Sequence, residues 1–262
     1  MVTADTANPR GERLAPSPPL SPAMEDYLRA IYDLGRDGEP VSTTALAQRV
    51  GVAPASVTGM IKRLHGLRLL DHAPYAGVRL TPPGLRVAIE LVRHHRIIET
   101  YLAEAMGIGW DAVHDEAHRL EHHVSPALGE RMAELLGHPE RDPHGAPIPP
   151  RDGPFVESAY GTLADAEVGQ RLVVREVADE DAERLRQLDH LGLRPDAVVE
   201  VVARGPGEDL VTVRVGSGAS AEAQAVALEL ASAVFVAEAV AEGGAGTVAR
   251  SVAESVGESS GP

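Results

Sequence analysis

Cysteine is absent from the chain, which removes disulfides, thiolate metal sites and cysteine nucleophiles together. Any bound metal is then left to His, Asp and Glu. Aromatic residues make up only 3% of the sequence, and Lys62 is the single lysine among 24 Lys+Arg. Those 24 face 39 Asp+Glu, a formal charge of −15, so a uniformly basic nucleic-acid coat is excluded. Long apolar runs are missing as well, because the Ala/Val-rich stretch 221–241 is interrupted by Glu222, Glu229 and Glu238. The beginning, with Pro9, Pro16, Pro18, Pro19 and Pro22 and mixed charges, lacks the basic start and apolar run of a signal peptide. A soluble, cytoplasmic protein with no membrane partner is expected.

What the chain does have is unevenly placed. Residues 45–100 hold eight Arg/Lys against three Asp/Glu, while residues 151–262 hold nine against twenty. A local basic surface therefore survives inside an acidic protein. The 11 histidines keep a nitrogen and oxygen metal site available. At 262 residues there is room for two to three small domains with cores of their own.

The proline-rich segment 1–20 is expected to be a disordered arm. Order begins at Ser21-Pro22, a cap followed by a first-turn proline, and Tyr27, Leu28, Ile31 and Leu34 recur at helical spacing up to Gly35. Ser42 opens a short helix to Val50, Gly51-Val52-Ala53 makes a turn, and Pro54 starts an amphipathic helix expected to reach about Leu70. That is a helix-turn-helix signature. Residues 69–81 read as two short strands around a Pro/Gly turn, which adds a wing. Helices are expected from Pro82 to Gly107, from Trp110 towards Val124, and from Pro126 to Gly137. The stretch 139–154, with Pro139, Pro143, Pro147, Pro149, Pro150 and Pro154, reads as a linker. Beyond it, β-branched runs at 172–177, 198–202 and 210–215, with a helix between the first two, predict a small β-barrel over 155–240. The Gly/Ser/Glu-rich end, 241–262, has too little apolar surface to fold.

Two constellations carry chemistry. On one helix, His114, His118, Glu121 and His122 lie at i, i+4, i+7 and i+8 and share a face. A cation there needs donors from another helix, and Asp26 or the pair His95 and Glu99 can supply them. A solvated His/Glu face is the plain alternative. The string His118-x-x-Glu121-His122 also matches the inverted zinc-peptidase motif, with Glu121 as the base of a zinc-dependent hydrolase. The second constellation is the helix from Pro54, which exposes Ser56, Thr58, Lys62 and Arg63 between its apolar positions. Short hydroxyls can approach base edges while the cations reach phosphates. Packing alone also produces helix pairs of this kind.

Five collinear stretches resemble one family. They are Ser21-Pro-Ala-Met-Glu-Asp-Tyr-Leu-Arg-Ala-Ile-Tyr32, Val57-Thr-Gly-Met-Ile-Lys-Arg-Leu64, Arg93-His-His-Arg-Ile-Ile-Glu99, Val113 to His122, and Arg141 to Pro149. Together they are similar to the diphtheria toxin repressor family of iron- and manganese-dependent repressors, over roughly residues 21–240. The resemblance implies a mainly α protein with a C-terminal barrel. Its parts would be a winged helix-turn-helix DNA-binding domain (21–82), a helical dimerisation and metal-binding domain (83–138), the linker, and an SH3-like domain (155–240). The stretch Leu188 to Pro195 looks like the ferrous-transport type of that domain.

By the same resemblance, the regulatory metal site comprises Asp26, His118, Glu121 and His122. The ancillary site comprises His95, Glu99 and His114, with acidic help near Asp181. Iron-sensing members carry methionine and cysteine where this chain has Asp26 and His118. Manganese-sensing relatives share the aspartate and usually have glutamate at the second place. Arg184 stands where the iron-sensing pattern has an amide ligand. The hard nitrogen and oxygen set favours Mn²⁺ or Fe²⁺, with Zn²⁺ behind. The function implied is a homodimeric, metal-activated repressor of metal-homeostasis genes on a palindromic double-stranded DNA operator, without a small-molecule substrate.

Overall fold

The computed structural model describes residues 20–239 apart from 37, 74–76, 157–158, 180, 206, 208 and 217–221. The expected arm 1–20, save Leu20, and the expected tail 241–262 lie outside the described residues. The chain divides into two compact units, 1–159 with 176–190, and 160–175 with 191–262.

The first unit opens with α1 (Pro22–Leu34), whose proline at the first turn costs no hydrogen bond because those N–H groups lack intrahelical partners. The next helix, α2 (Thr43–Arg49), is capped by Ser42 Oγ, which accepts from the Ala45 amide at 3.1 Å. Gly51, at φ +66°, makes the turn into α3 (Pro54–Gly66). The helix ends four residues short of the expected Leu70, since Arg68 adopts φ +60° and the chain turns into the wing. Strands β1 (Leu70–Ala73) and β2 (Gly77–Leu80) pair antiparallel, with Leu70 opposite Leu80. The turn between them is outside the described residues. Leu28, Ile31, Leu46, Val57, Ile61, Leu64, Leu70 and Val78 interdigitate as the core of this half. At about 1.5–3 kcal/mol for each fully buried aliphatic side chain, that cluster is what holds the small helices together.

Helix α4 (Pro82–Met106) then runs for 25 residues, about 37 Å at 1.5 Å per residue. Its start is pressed against the wing: a Cβ on Gly84 would sit 1.8 Å from the Leu69 carbonyl oxygen, so no other residue fits. Ala88 joins the first core, while Ile97, Ile98 and Leu102 pack with α5 (Val113–Glu121) and α6 (Pro126–Leu135). Thus one helix contributes to both the core around α1–α3 and the packing with α5 and α6.

The expected linker is folded. Within 139–154, Asp142, His144, Ala146 and Ile148 are buried, and the Asp142 and Ile148 amides donate to the Ala146 and Glu140 carbonyls. Proline removes donors but leaves carbonyls, and α4 supplies the missing partners: Arg96 donates to the Pro147 oxygen at 2.7 Å and Arg93 to Pro149 at 2.8 Å.

The second unit is built on a six-stranded sheet ordered β3 (Gly161–Thr162), β8 (Val234–Glu238), β4 (Arg171–Val177), β5 (Val198–Arg204), β6 (Leu210–Val215), β7 (Ala223–Ala227). Val199, Val201, Val211 and Val213 alternate inward, as a half-buried sheet requires. Among the described residues the end strands β3 and β7 do not pair, so the expected barrel is an open sheet. A short α8 (Leu228–Ala231) follows β7, and α7 (Ala182–His190) falls with the first unit. Strands β3, β7 and β8 had no reading from the sequence, because their alanines and short length gave no alternating pattern. No helix among the described residues is long and apolar enough to cross a membrane.

Candidate metal centre

The four side chains expected at the regulatory site meet where α1 passes α5. Asp26, His118 and Glu121 bring donor atoms within 4.8 Å of one another. His122 lies one residue past the last turn of α5, as its C-cap, and its Nε2 is 3.0 Å from Asp26 Oδ1. The other ring nitrogen, Nδ1, is 2.7 Å from Glu25 Oε2, a residue that sequence reasoning left out. A carboxylate behind an imidazole fixes its tautomer and leaves the opposite nitrogen as a lone-pair donor. Glu25 would do that for His122 with a cation in place of the Nε2 proton.

Glu121 is the hub. Its Oε1 is 2.6 Å from His118 Nδ1, and its Oε2 takes Arg29 Nη1 at 3.1 Å and His95 Nδ1 at 2.7 Å. Burial opposes ionisation, but the His118 and His95 hydrogen bonds and the Arg29 guanidinium hold the carboxyl well below its usual range. His122 is raised, its partial desolvation outweighed by Glu25 and Asp26. His118 remains mostly open to solvent, with a side-chain exposure of 56%. The four-residue face expected on α5 is divided: His118 and Glu121 turn to Asp26, while His114 turns to a second cluster.

That second cluster is buried. Glu99 Oε1 lies 2.9 Å from His95 Nε2 and 2.8 Å from His114 Nδ1, which brings the three expected ancillary residues together. The acidic helper is Asp179, with Oδ2 3.3 Å from His114 Nδ1, and not the expected Asp181. Asp181 accepts instead from the Glu183 and Arg184 amides at the start of α7, so it is occupied as a cap. Arg184 pairs with Asp181 at 3.6 Å. Burial raises the energy of the Glu99 carboxylate, but His95 and His114 outweigh it and the pKa falls to about 2. Desolvation works against the His114 charge, yet Asp179 and Glu99 raise its pKa to about 10.

Asp142 and His144, from the expected linker, complete a further donor set with Glu99 and Asp179. Asp142 Oδ1 accepts from the His144 and Ala146 amides at 2.9 and 3.0 Å, which closes the turn that carries both side chains. Three buried atoms, Glu99 Oε2, Asp142 Oδ2 and His144 Nδ1, have no hydrogen-bond partner. Orphaned acceptors of this kind are costly unless a cation or donor satisfies them. Sequence reasoning noticed Arg141 to Pro149 as a motif but gave it no role. The signal available was an Asp-Pro-His-Gly turn in a segment read as a tether.

Ser56, Thr58, Lys62 and Arg63 all project to solvent from α3, while Val57, Ile61 and Leu64 point into the core. The helix therefore presents a polar and cationic face suited to a groove.

Three family descriptions match the chain in order: "Iron dependent repressor, N-terminal DNA binding domain" over residues 19–78, "Iron dependent repressor, metal binding and dimerisation domain" over 81–150, and "FeoA domain" over 161–238. The iron-dependent repressor IdeR of Mycobacterium leprae is 30% identical over 206 residues, 74% of this chain and 90% of that one. The diphtheria toxin repressor of Corynebacterium glutamicum is 30% identical over 193 residues, 70% and 85% of the two chains. A solved structure described as a manganese-dependent transcriptional repressor in complex with manganese superposes with a TM-score of 0.75 at 34% identity, covering 82% of this chain and all of that one. These relatives are repressors, which overturns the zinc-hydrolase alternative.

Proposed function

The chain belongs to the iron-dependent repressor family, that of the diphtheria toxin repressor, and we propose that it is a metal-activated transcriptional repressor whose regulatory site is Asp26, His118, Glu121 and His122. The observation that carries this reading is the meeting of Asp26, from the first helix of the reading half, with donors at the end of α5 in the metal-binding half. Carboxylates and imidazoles without sulfur suit Mn²⁺ first and Fe²⁺ next. When bound, the cation supplies positive charge that ties the two halves together.

The protein's own residues prepare that step. Glu25 orients His122, His95 and Arg29 hold Glu121 ionised, and α4 transmits the position of the metal-binding half to the wing. Asp26 is on α1, whose Leu28 and Ile31 pack in the core that also holds α3. Fixing Asp26 therefore fixes the aim of α3. His95, Glu99 and His114, with Asp142, His144 and Asp179, form the ancillary centre. Ser56 and Thr58 read bases, and Lys62 and Arg63 contact phosphates. The dimerisation region leaves Leu128 and Leu135 exposed on α6, which fits a homodimer reading a palindromic operator of metal-homeostasis genes.

The test is operator binding by the purified protein with and without Mn²⁺ or Fe²⁺, in wild type, Asp26→Ala and Glu121→Ala. Metal-dependent binding in the wild type, lost in both variants, is expected. Equal affinity in every case would sink the reading.

A further inference from the structure

We propose that the buried ancillary centre is dinuclear, holding two divalent cations at once with Glu99 as the carboxylate bridge between them. The inference rests on the reading of this cluster as a metal centre and adds its nuclearity and the bridging role of Glu99.

The donors fall into two sets that close separately, each within 4.8 Å: His95, Glu99 and His114 on one side, and Glu99, Asp142, His144 and Asp179 on the other. Glu99 is common to both, and its two oxygens are divided between them. Oε1 faces His95 Nε2 and His114 Nδ1, while Oε2 is buried and unpartnered. A carboxylate that gives one oxygen to each set is arranged as a bridge, and ions bridged in this way lie about 3.5–4 Å apart. Asp179 is placed between the sets as well, with Oδ2 3.3 Å from His114 Nδ1 and 3.8 Å from His144 Nδ1.

The second set has the protonation a cation needs. His144 Nε2 lies 2.7 Å from the Trp110 carbonyl oxygen, which can only accept, so the ring proton sits on Nε2. Nδ1 is then a bare lone pair, fully buried and without a hydrogen-bond partner. This is the carbonyl-backed imidazole found behind metal ligands. Asp142 spends Oδ1 on its own turn and leaves Oδ2 without a hydrogen bond, 3.6 Å from Arg96 Nε. Glu99 and Asp142 are buried and Asp179 is half-buried beside them, with Arg96 Nε 3.6 Å from Asp142 Oδ2. Buried carboxyl oxygens and an imidazole nitrogen left without hydrogen bonds are unfavourable unless a cation satisfies them.

The experiment is a titration of the metal-stripped, full-length protein with MnCl₂, reading bound ions per chain and the low-temperature electron paramagnetic resonance spectrum. The expected result is three ions per chain, one regulatory and two ancillary, with an exchange-coupled Mn²⁺ pair. Asp142→Asn keeps the Oδ1 turn bonds but weakens the second set. It is expected to lose one ion per chain and the coupled signal, and His144→Gln is expected to do the same. Circular dichroism on both variants establishes that they fold. Two ions per chain in the wild type with only an isolated-ion spectrum overturns the proposal, as does a coupled signal unchanged in both folded variants. Operator binding that ignores metal would instead overturn the regulatory reading, and leaves the coupled spectrum to decide the dinuclear centre.

Discussion

The two metal-binding regions differ in where their donors come from and how much water they meet. The regulatory donors come from α1 and the end of α5, and His118 keeps more than half its surface in solvent. The ancillary donors are more enclosed: His95, Glu99, Asp142 and His144 are buried, and His114 and Asp179 are half-buried. An open site spanning two parts of the fold has two occupancies that differ in geometry, which is what a switch requires. An enclosed site within one part mainly adds binding energy to the folded state. The regulatory region should therefore govern DNA affinity, and the ancillary region should govern stability.

The largest effect that would break this comparison is on operator binding. Glu121→Ala removes the hub of the regulatory site, and the Mn²⁺ concentration needed for operator binding is expected to rise by about 100-fold or more. Glu99→Gln should raise it by much less. A gel-shift titration of both variants measures this, and equal losses would erase the distinction. Next in size is the effect on stability. Mn²⁺ at about 100 times its dissociation constant adds about 2.7 kcal/mol per site to the folded state. Glu99→Gln should remove most of the metal-induced rise in melting temperature, while Asp26→Ala should keep most of it. Calorimetry with and without Mn²⁺ decides, and a rise that survives Glu99→Gln would count against a structural role for the buried centre.

A smaller effect sharpens the regulatory side alone. Arg29 Nη1 holds Glu121 Oε2 at 3.1 Å and competes with any cation for it. Arg29→Gln is expected to lower the Mn²⁺ concentration for half-maximal operator binding by about fivefold, near 1 kcal/mol for a partly exposed ion pair. No change, or a weakening, would mean that Arg29 serves chiefly to orient Glu121.

The same contrast explains what was readable in the sequence. Helical spacing puts His114, His118, Glu121 and His122 on one face and leaves Asp26 or the pair His95 and Glu99 open as its complement. The division into two sets, with Asp26 in the first, comes from the family resemblance. Asp142, His144 and Asp179 were not legible, since their roles depend on where a proline-rich segment folds back, and local pattern carries no such information. Proline content suggested a tether at 139–154, but Arg93 and Arg96 on α4 satisfy its carbonyls and turn it into structure. Likewise α5 stopped at Glu121, so His122 reaches Asp26 from a C-cap and not from the helical face that periodicity assigned it.

The smallest effect concerns pH in the metal-free protein. Glu99 falls from its ordinary 4.5 to about 2 because His95 and His114 overcome its burial, and Glu121 shifts in the same direction. Stability from a depressed carboxyl is full above the unfolded value and is lost as pH falls through the folded one. Both regions therefore weaken on acidification, with the Glu99 contribution disappearing between about 4.5 and about 2. His114 is raised from 6.5 to about 10, since Asp179 and Glu99 outweigh its desolvation. Its contribution is full below about 6.5 and is lost as pH climbs towards about 10. Asp142, raised by burial and by Glu99 and Asp179, opposes the sign of Glu99, since its contribution begins to be lost as pH rises past its ordinary 3.8. His122 shares the sign of His114 with a smaller shift. The alkaline limb thus belongs chiefly to the buried centre. In thermal melts of chelator-treated protein, His114→Gln should flatten the limb above pH 6.5 and preserve the acid one. If the alkaline fall persists unchanged, the charge in the buried centre is not carried by His114, and the two regions no longer differ in this respect.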